Sequence, residues 1–202
     1  MKVLKKYIVI IVSLLSLSSC NGESYTPKNG DIIFHTSKSR QSKMISEVTK
    51  SELTHVGIVL IKNGKPYVFE AVQPVKLTPL NQWISRGVDS KYIVMRSKKT
   101  LTETDLFKME EYGQSQLGKN YDVKFQWSDD KMYCSELVYK VFESAGITLS
   151  KKHTFKDYDL NGEKTKEAIR ARYNTSINLN ETVVTPVDLR NSTKLKVVFS
   201  NY

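Results

Sequence analysis

The order of apolar and polar positions divides the chain into a strand-rich first half and a helix-rich second half. Short apolar runs that are rich in β-branched and aromatic residues, and bounded by glycine, asparagine or proline, predict strands. These runs lie at 30–35, 54–61, 67–72, 92–96 and 195–199. The turn at Asn63-Gly64 predicts a hairpin between the second and third runs. The short connections predict an antiparallel sheet, or a small barrel, packed against helices in an α+β fold.

Three segments instead repeat apolar residues every three or four positions, which is typical of amphipathic helices. They are 37–50, 101–117 before Gly118, and about 132–145 before Gly146. In the last of them the apolar residues share one face, and Cys134 lies on that face near the helix start. Residues 151–182 are polar and predict an extended excursion with one helix around 164–172.

The N-terminus has charged, then apolar, then small residues, which is the order typical of an exported protein. Three lysines precede the apolar run 7–17, whose 11 residues are too few to span a bilayer as a helix. Leu17-Ser18-Ser19-Cys20 resembles the lipobox of bacterial lipoproteins. We therefore predict a lipoprotein signal peptide at 1–19, a lipid attached to Cys20, a tether at 20–29 and a folded domain at 30–202. The location predicted is the bacterial cell envelope, with a lipid anchor outside the cytoplasm.

Composition narrows the function classes. A chain of 202 residues with 40% hydrophobic residues suits one globular domain and excludes wholesale disorder. The formal charge is +10. Because the chain is predicted to leave the cytoplasm, this charge favours anionic lipid or cell-wall polymer over nucleic acid as a partner. Scattered, solvated lysines are the alternative interpretation.

Cys134 is the first candidate for chemistry. The N–H groups and the dipole at a helix N-terminus stabilise a thiolate, so its position favours a nucleophile. The alternative is a small apolar residue buried on a core face. The other thiol, Cys20, is the predicted lipid attachment, which leaves Cys134 without a disulfide partner.

Two polar residues in the predicted hairpin favour the nucleophile over the buried apolar residue as the interpretation of Cys134. His55 begins an apolar strand, and Glu70 interrupts the strand that follows, where an unpaired buried carboxylate is costly. The tight turn pairs the start of one strand with the end of the next and brings both residues together. A carboxylate orients an imidazole, and an imidazole beside a thiol forms the thiolate–imidazolium pair of acyl transfer. His55, Glu70 and Cys134 therefore form a candidate triad.

The motifs around these residues carry a family resemblance. They are Gly30-Asp31-Ile32-Ile33-Phe34, Gln41, Thr54-His55-Val56-Gly57-Ile58-Val59, Phe69-Glu70-Ala71 and Tyr133-Cys134-Ser135-Glu136-Leu137-Val138. Together with the ending from Thr185 to Phe199, they resemble the circularly permuted branch of the NlpC/P60 cysteine hydrolases, the YiiX/YebB-like proteins. The resemblance implies a permuted papain-like fold with Cys134 as nucleophile, His55 as general base and acid, and Glu70 as the orienting group.

The implied reaction is attack of a thiolate on an amide or ester carbonyl, followed by hydrolysis of an acyl-enzyme. Gln41 and Tyr133 are candidates for oxyanion or substrate contacts. No zinc-binding spacing and no glycine-rich phosphate loop is present, so we expect no metal and no other cofactor. We expect a cell-envelope cysteine hydrolase acting on a peptidoglycan-type peptide or a related amide. The alternatives are a lipid N-acyl amidase, thioesterase or acyltransferase, or a non-catalytic binding module.

Overall fold

A six-stranded antiparallel sheet forms the centre of the computed structural model, which describes residues 24–173 and 177–202. The strands of the protein are β1 (Ile32–His35), β2 (His55–Lys62), β3 (Lys65–Glu70), β4 (Lys76–Pro79), β5 (Ile93–Ser97), β6 (His153–Thr154), β7 (Thr182–Val183) and β8 (Leu195–Ser200). The order in the large sheet is β4-β3-β2-β1-β5-β8, and β6 pairs with β7 in a separate ribbon. The predicted signal peptide and Cys20 lie outside the described residues.

Helices cover both faces of this sheet. They are α1 (Arg40–Thr49), α2 (Leu80–Ser85), α3 (Glu103–Gln116), α4 (Cys134–Ser144), α5 (Glu163–Tyr173) and α6 (Pro186–Arg190). The main core lies between the sheet and α3 and α4, where Val56, Ile58 and Leu137 are buried. The second core lies on the other face under α2, around the fully buried Trp83. Because β2 contributes to both cores, its apolar run has no polar face.

The predicted α+β fold with an antiparallel sheet is confirmed, and each of the five predicted strands is present within a few residues. The predicted helices correspond to α1, α3, α4 and α5. The pattern missed β4 and α2, which have four and six residues. Elements of that length are too short for a period of two or 3.6 residues to be recognisable.

Residues 25–29, predicted as part of the tether, lie against the domain. The Tyr25 hydroxyl donates a hydrogen bond to Asp31 at 2.8 Å, and its ring contacts Tyr92 and Phe199. The Asn29 side chain accepts a hydrogen bond from the Ile61 amide at 2.6 Å. The packed part of the chain thus includes residues upstream of 30.

The polar segment that follows α4 contributes α5, which packs on α1. Glu47 of α1 accepts hydrogen bonds from the backbone and hydroxyl of Thr165 at 2.7 and 2.6 Å, close to the start of α5. These contacts place α5 beside the N-terminus of α4, where Cys134 lies. Within the described ranges, no helix has the length and apolar character needed to cross a membrane.

Candidate active site

Cys134 is the first residue of α4, and only 2% of its surface is exposed. The residues before it are held by the loop between α3 and α4. The Met132 amide donates to the Asn120 carbonyl at 3.0 Å, and the Asp122 amide donates to the Met132 carbonyl at 3.2 Å. This short parallel bridge places Tyr121 next to the start of α4.

Three donors surround the Cys134 sulfur. They are the His55 imidazole, the Val56 backbone N–H and the Tyr121 hydroxyl. Burial by itself raises the pKa of the Cys134 thiol, but these hydrogen bonds and the charge of His55 outweigh burial and lower the pKa below its usual value. The site therefore favours the thiolate, which is the nucleophilic form of cysteine.

His55 reaches Glu70 as the hairpin register predicted. The His55 Nε2 and Glu70 Oε2 atoms are 2.7 Å apart, which leaves Nδ1 as the ring nitrogen for Cys134. Gly57 allows this contact, because a Cβ there would lie 2.4 Å from Val68 Cγ1 and 2.9 Å from the Phe69 carbonyl oxygen. A side chain at position 57 would push β3 away from β2 at the level of Glu70.

Glu70 is fully buried and makes hydrogen bonds through both oxygens. Oε2 faces His55, while Oε1 accepts from the Thr78 hydroxyl at 2.5 Å and from the Arg86 guanidinium. Burial would raise the pKa of this carboxyl, but hydrogen bonding to His55 and Thr78 and the charges of His55 and Arg86 lower it to about 2. Glu70 is therefore an anion whose cost of burial is offset by three donors.

The contact that lowers the pKa of Glu70 raises the pKa of His55. Burial alone lowers the pKa of an imidazole, but hydrogen bonds to Cys134 and Glu70, with the charges of both, raise the His55 pKa to about 9. A lowered thiol pKa beside a raised imidazole pKa favours a thiolate–imidazolium pair at neutral pH. This is the pair that acyl transfer through cysteine requires.

A second histidine lies beside this pair. His35 pairs with His55 across β1 and β2, and its ring stacks on Trp83 with centroids 3.8 Å apart. Burial, and then the charge of His55, lower the pKa of His35 to about 2, so it is neutral where His55 is charged. A Cβ on Gly87 would lie 2.9 Å from His35 Nδ1, so the backbone covers this ring closely.

The two remaining residues singled out in the sequence lie on different sides of Cys134. The Tyr133 hydroxyl accepts a hydrogen bond from the Val184 amide at 3.2 Å, and the hydroxyl hydrogen-bonded to Cys134 is that of Tyr121. Gln41 lines the cleft that contains His55, and within the described residues its buried Oε1 has no hydrogen-bond partner. Tyr121 was missed because a single tyrosine in a loop carries no periodic signal.

Two cavities lie beside the candidate triad, one lined by His55 and the other by Cys134. The cavity at His55 is a cleft of about 660 Å³ whose lining residues are mostly polar, among them Tyr121 and Gln41. The other is a narrower pocket of about 70 Å³, lined almost entirely by apolar atoms. Cys134 and Tyr133 line this pocket together with residues of α1 and α5 and with apolar side chains from the segments between the helices, such as Phe155 and Val183. Cys134 therefore lines the apolar pocket, while its hydrogen-bond partner His55 lines the polar cleft.

Comparisons with known proteins agree with this arrangement. A sequence model of the family described as "Permuted papain-like amidase enzyme, YaeF/YiiX, C92 family" matches residues 26–199. The chain is 41% identical over 191 residues to the protein YiiX of Escherichia coli strain K12, with 94% of each chain covered. It is also similar to a crystal structure of YiiX from Escherichia coli O157:H7, with a TM-score of 0.85 and 41% identity, over 88% of this chain and 99% of that one.

That crystal structure is described as one of a metalloprotein. In the part of this chain that the structure describes, no group of three or more His, Cys, Asp or Glu side chains is arranged to hold a metal ion. The Glu70 oxygens are also occupied by His55, Thr78 and Arg86. The residues around Cys134 do not fit a metal centre.

The structural similarity to YiiX and the family match over most of the chain identify the protein as a cysteine hydrolase with a permuted papain-like fold. The chain belongs to the permuted papain-like amidase family, the YaeF/YiiX or C92 family.

Proposed function

We propose that this amidase cleaves its substrate with Cys134 as nucleophile, His55 as general base and acid, and Glu70 as the group that orients His55. The observation that carries this proposal is the continuous chain of hydrogen bonds from Glu70 through His55 to Cys134, with Nε2 of His55 2.7 Å from the carboxylate. A buried anion on Nε2 fixes the ring and leaves Nδ1 directed at the sulfur.

The steps follow from these positions. The Cys134 thiolate attacks the amide carbon, and the tetrahedral intermediate collapses when His55 gives its Nδ1 proton to the leaving nitrogen. The C–N bond breaks and a thioester to Cys134 remains. His55, now neutral, takes a proton from water, and the resulting hydroxide equivalent hydrolyses the thioester. The acid leaves and the ion pair is restored.

The oxyanion of the intermediate forms next to the N-terminus of α4. The first N–H groups of a helix have no acceptor within the helix, so the Cys134 N–H is one donor. The Tyr121 hydroxyl is the second, because it already hydrogen-bonds to the sulfur that carries the new bond. This proposal replaces Tyr133 with Tyr121 as the side-chain donor.

The apolar pocket supports a substrate with an apolar acyl group, as in a lipid N-acyl amide. Cys134 is part of the wall of this pocket, so the acyl carbon bound to sulfur lies at its mouth. An apolar wall gains from burying aliphatic surface and gives no hydrogen bond to a peptide backbone. A thioesterase or acyltransferase would form the same acyl-enzyme and differ in the leaving group or the acceptor.

A peptidoglycan-type peptide is the second candidate, and one observation favours it. Most residues that line the cleft on the His55 side have polar side chains, and its volume of about 660 Å³ is in the range of small-molecule sites. Peptide groups would find hydrogen-bond partners there that the apolar pocket lacks.

The cell envelope is the proposed location, with the chain anchored through a lipid on Cys20. The support is the order of charged, apolar and small residues in the first 20 positions. Mass spectrometry of the protein from membranes would show a diacylglyceryl group on Cys20 as the N-terminal residue. An unmodified N-terminus at Met1 would contradict this proposal.

The first test of the triad is the rate of alkylation of Cys134 by iodoacetamide against pH, beside a His55→Ala variant. In the full chain carrying Cys20→Ser, Cys134 is the one remaining thiol. We expect a thiol that reacts well below its ordinary pKa, and a pKa that returns toward about 8.5 in His55→Ala. An inert thiol, or one unaffected by His55→Ala, would contradict the proposed pair.

The acyl specificity is tested at the apolar pocket. Ala168 on α5 lines the pocket, whereas Ala171 on the same helix is exposed. We expect Ala168→Phe to reduce hydrolysis of long-chain N-acyl amides more than that of N-acetyl amides, and Ala171→Phe to reduce neither. Equal effects of Ala168→Phe on both chain lengths would favour the peptide candidate.

A further inference from the structure

The polar cleft next to His55 carries charge of one sign. Lys38 and Arg86 line it, and no Asp or Glu is among the described residues that form its wall. Glu70 lies behind the cleft, fully buried and paired with His55 and Arg86. The two anions, Glu70 and the Cys134 thiolate, are balanced by His55 and Arg86, so Lys38 leaves the cleft with one positive charge that no described carboxylate compensates, and an anionic substrate group is favoured there.

Both cations have the freedom to meet a ligand. The Arg86 side chain lines the cleft and is 42% exposed, although one of its nitrogens is bound to Glu70. Lys38 is exposed and, within the described residues, forms no ion pair. Ser37, Ser39 and Gln41 lie beside it and add neutral hydrogen-bonding groups.

The chemistry of the proposed triad decides which part of the substrate enters this cleft. His55 must give its proton to the leaving nitrogen, so the amine departs on the side of Cys134 where His55 lies. That side is the polar cleft, which His55 lines. The acyl group then occupies the opposite side, where Cys134 lines the apolar pocket.

We propose that the leaving amine carries an anionic group, which Lys38 and Arg86 bind in the polar cleft. The substrate class is then an N-acyl amide with an apolar acyl group and a carboxylate or a phosphate on its amine, such as an N-acyl amino acid. This inference rests on the proposed function, since it needs His55 as the acid for the leaving group. Arg86 hydrogen-bonds to Glu70 and also lines the cleft, where its guanidinium is a further hydrogen-bond donor for the anion.

The experiment uses two matched pairs of amides. Octanoyl amides of glycine and glycinamide differ in a carboxylate, and octanoyl amides of phosphoethanolamine and ethanolamine differ in a phosphate. In the full chain carrying Cys20→Ser, we expect kcat/KM to favour the anionic member of at least one pair, and the pair that shows it identifies the anion. Lys38→Gln should reduce the preference about two- to fivefold, the range for one exposed charge. Lys43→Gln, an exposed lysine of α1 outside the cleft, should not.

A second readout needs no turnover. Iodoacetate and iodoacetamide alkylate the same sulfur and differ in charge, so the ratio of their rates on one variant cancels changes in thiol reactivity. We expect Lys38→Gln to lower this ratio about two- to fivefold at low salt, with less effect at 0.5 M NaCl.

The outcomes separate this proposal from the proposed function. Equal kcat/KM within both pairs, or a ratio of alkylation rates that Lys38→Gln leaves unchanged, would overturn the anionic leaving group while leaving the amidase proposal standing. Hydrolysis of neither pair by a protein whose Cys134 still depends on His55 would overturn this substrate class alone. A thiol that does not depend on His55 would contradict the triad itself.

Discussion

His35 and His55 are directly opposed across β1 and β2, with ring centroids 5.3 Å apart, and their protonation is opposite. His55 is charged because Cys134 and Glu70 outweigh its burial, and His35 is neutral because it is buried on Trp83 next to a cation. The rings of Trp83 and His35 lie against the His55 imidazolium, and neither ring carries a negative charge that would compete with Glu70 and Cys134 for its protons. At neutral pH, therefore, His55 is protonated and His35 is neutral.

Histidine titration by NMR checks this assignment. We expect His55 to titrate near pH 9 and His35 to stay neutral down to at least about pH 4. Cys134→Ser removes the thiolate that raises the His55 pKa, so it should move the His55 midpoint toward lower pH. A His55 that titrates near its ordinary value of about 6.5 in both proteins would contradict the ion pair.

The pH dependence of turnover follows from the same pair. In the proposed mechanism turnover needs Cys134 deprotonated and His55 protonated, so kcat/KM should rise with pH as the thiol loses its proton and fall as His55 loses its proton near pH 9. Alkylation needs only the thiolate, so its rate should stay high above pH 9. Parallel falls of both rates above pH 9 would point to unfolding instead.

Glu70 should be needed for the position of His55 and for its charge. Glu70→Gln keeps the shape but removes the anion, so we expect kcat to fall about 10²- to 10⁴-fold and the His55 pKa to fall with it. Thr78→Val is the matched control, because it removes one hydrogen bond to Oε1 and leaves the Oε2 contact with His55. An equal loss in both variants would indicate a general effect of disturbing buried Glu70.

Tyr121 and Tyr133 are distinguished by their hydroxyl contacts. Tyr121→Phe removes a hydrogen bond to Cys134, so we expect the thiol pKa to rise and kcat to fall about 10²- to 10³-fold, the usual effect of losing one oxyanion donor. Tyr133→Phe removes the acceptor of the Val184 amide and should cost stability more than rate. The reverse pattern would return the donor role to Tyr133.

The sequence predicted the part of this site that a hairpin encodes. A tight turn at Asn63-Gly64 fixes the register of β2 and β3, so the approach of His55 and Glu70 followed from spacing. Tyr121 and Arg86 were not predictable in this way. Each lies in or beside a short or irregular segment, and its contact depends on how separate elements pack.

Residues 151–182 show the same limit. Their low apolar content predicted an extended excursion with one helix, but a few of their side chains, such as Phe155 and Ile169, line the apolar pocket. Only the side chains of this segment that face the pocket have to be apolar, so its overall composition is polar and does not reveal the pocket. The fold was therefore predictable from periodicity, whereas the substrate side of the site required the packing of α1 on α5.

Glu136 of α4 provides a prediction on the stability of the protein. It is fully buried in the first turn of α4, with its Oε1 2.9 Å from Lys140 Nζ. Burial, only partly offset by Lys140, raises its pKa to about 7 from an ordinary value of about 4.5. The folded state therefore holds this proton at pH values where the unfolded state has lost it. The resulting stabilisation is complete below about pH 4.5 and is lost as pH rises to about 7.

Urea unfolding from pH 4.5 to 8 measures this effect as a difference between proteins. Glu136→Gln lacks the titration, so its free energy of unfolding relative to the wild type should increase with pH by at most about 3 kcal/mol and level off above pH 7. Glu143→Gln is the control, because Glu143 lies on the same helix, is 44% exposed and pairs with Lys152. A pH-independent difference for Glu136→Gln would mean that Lys140 keeps the buried carboxylate charged throughout. The first turn of α4 would then carry a permanent negative charge two residues from Cys134, and the lowered thiol pKa would depend even more on His55 and Tyr121.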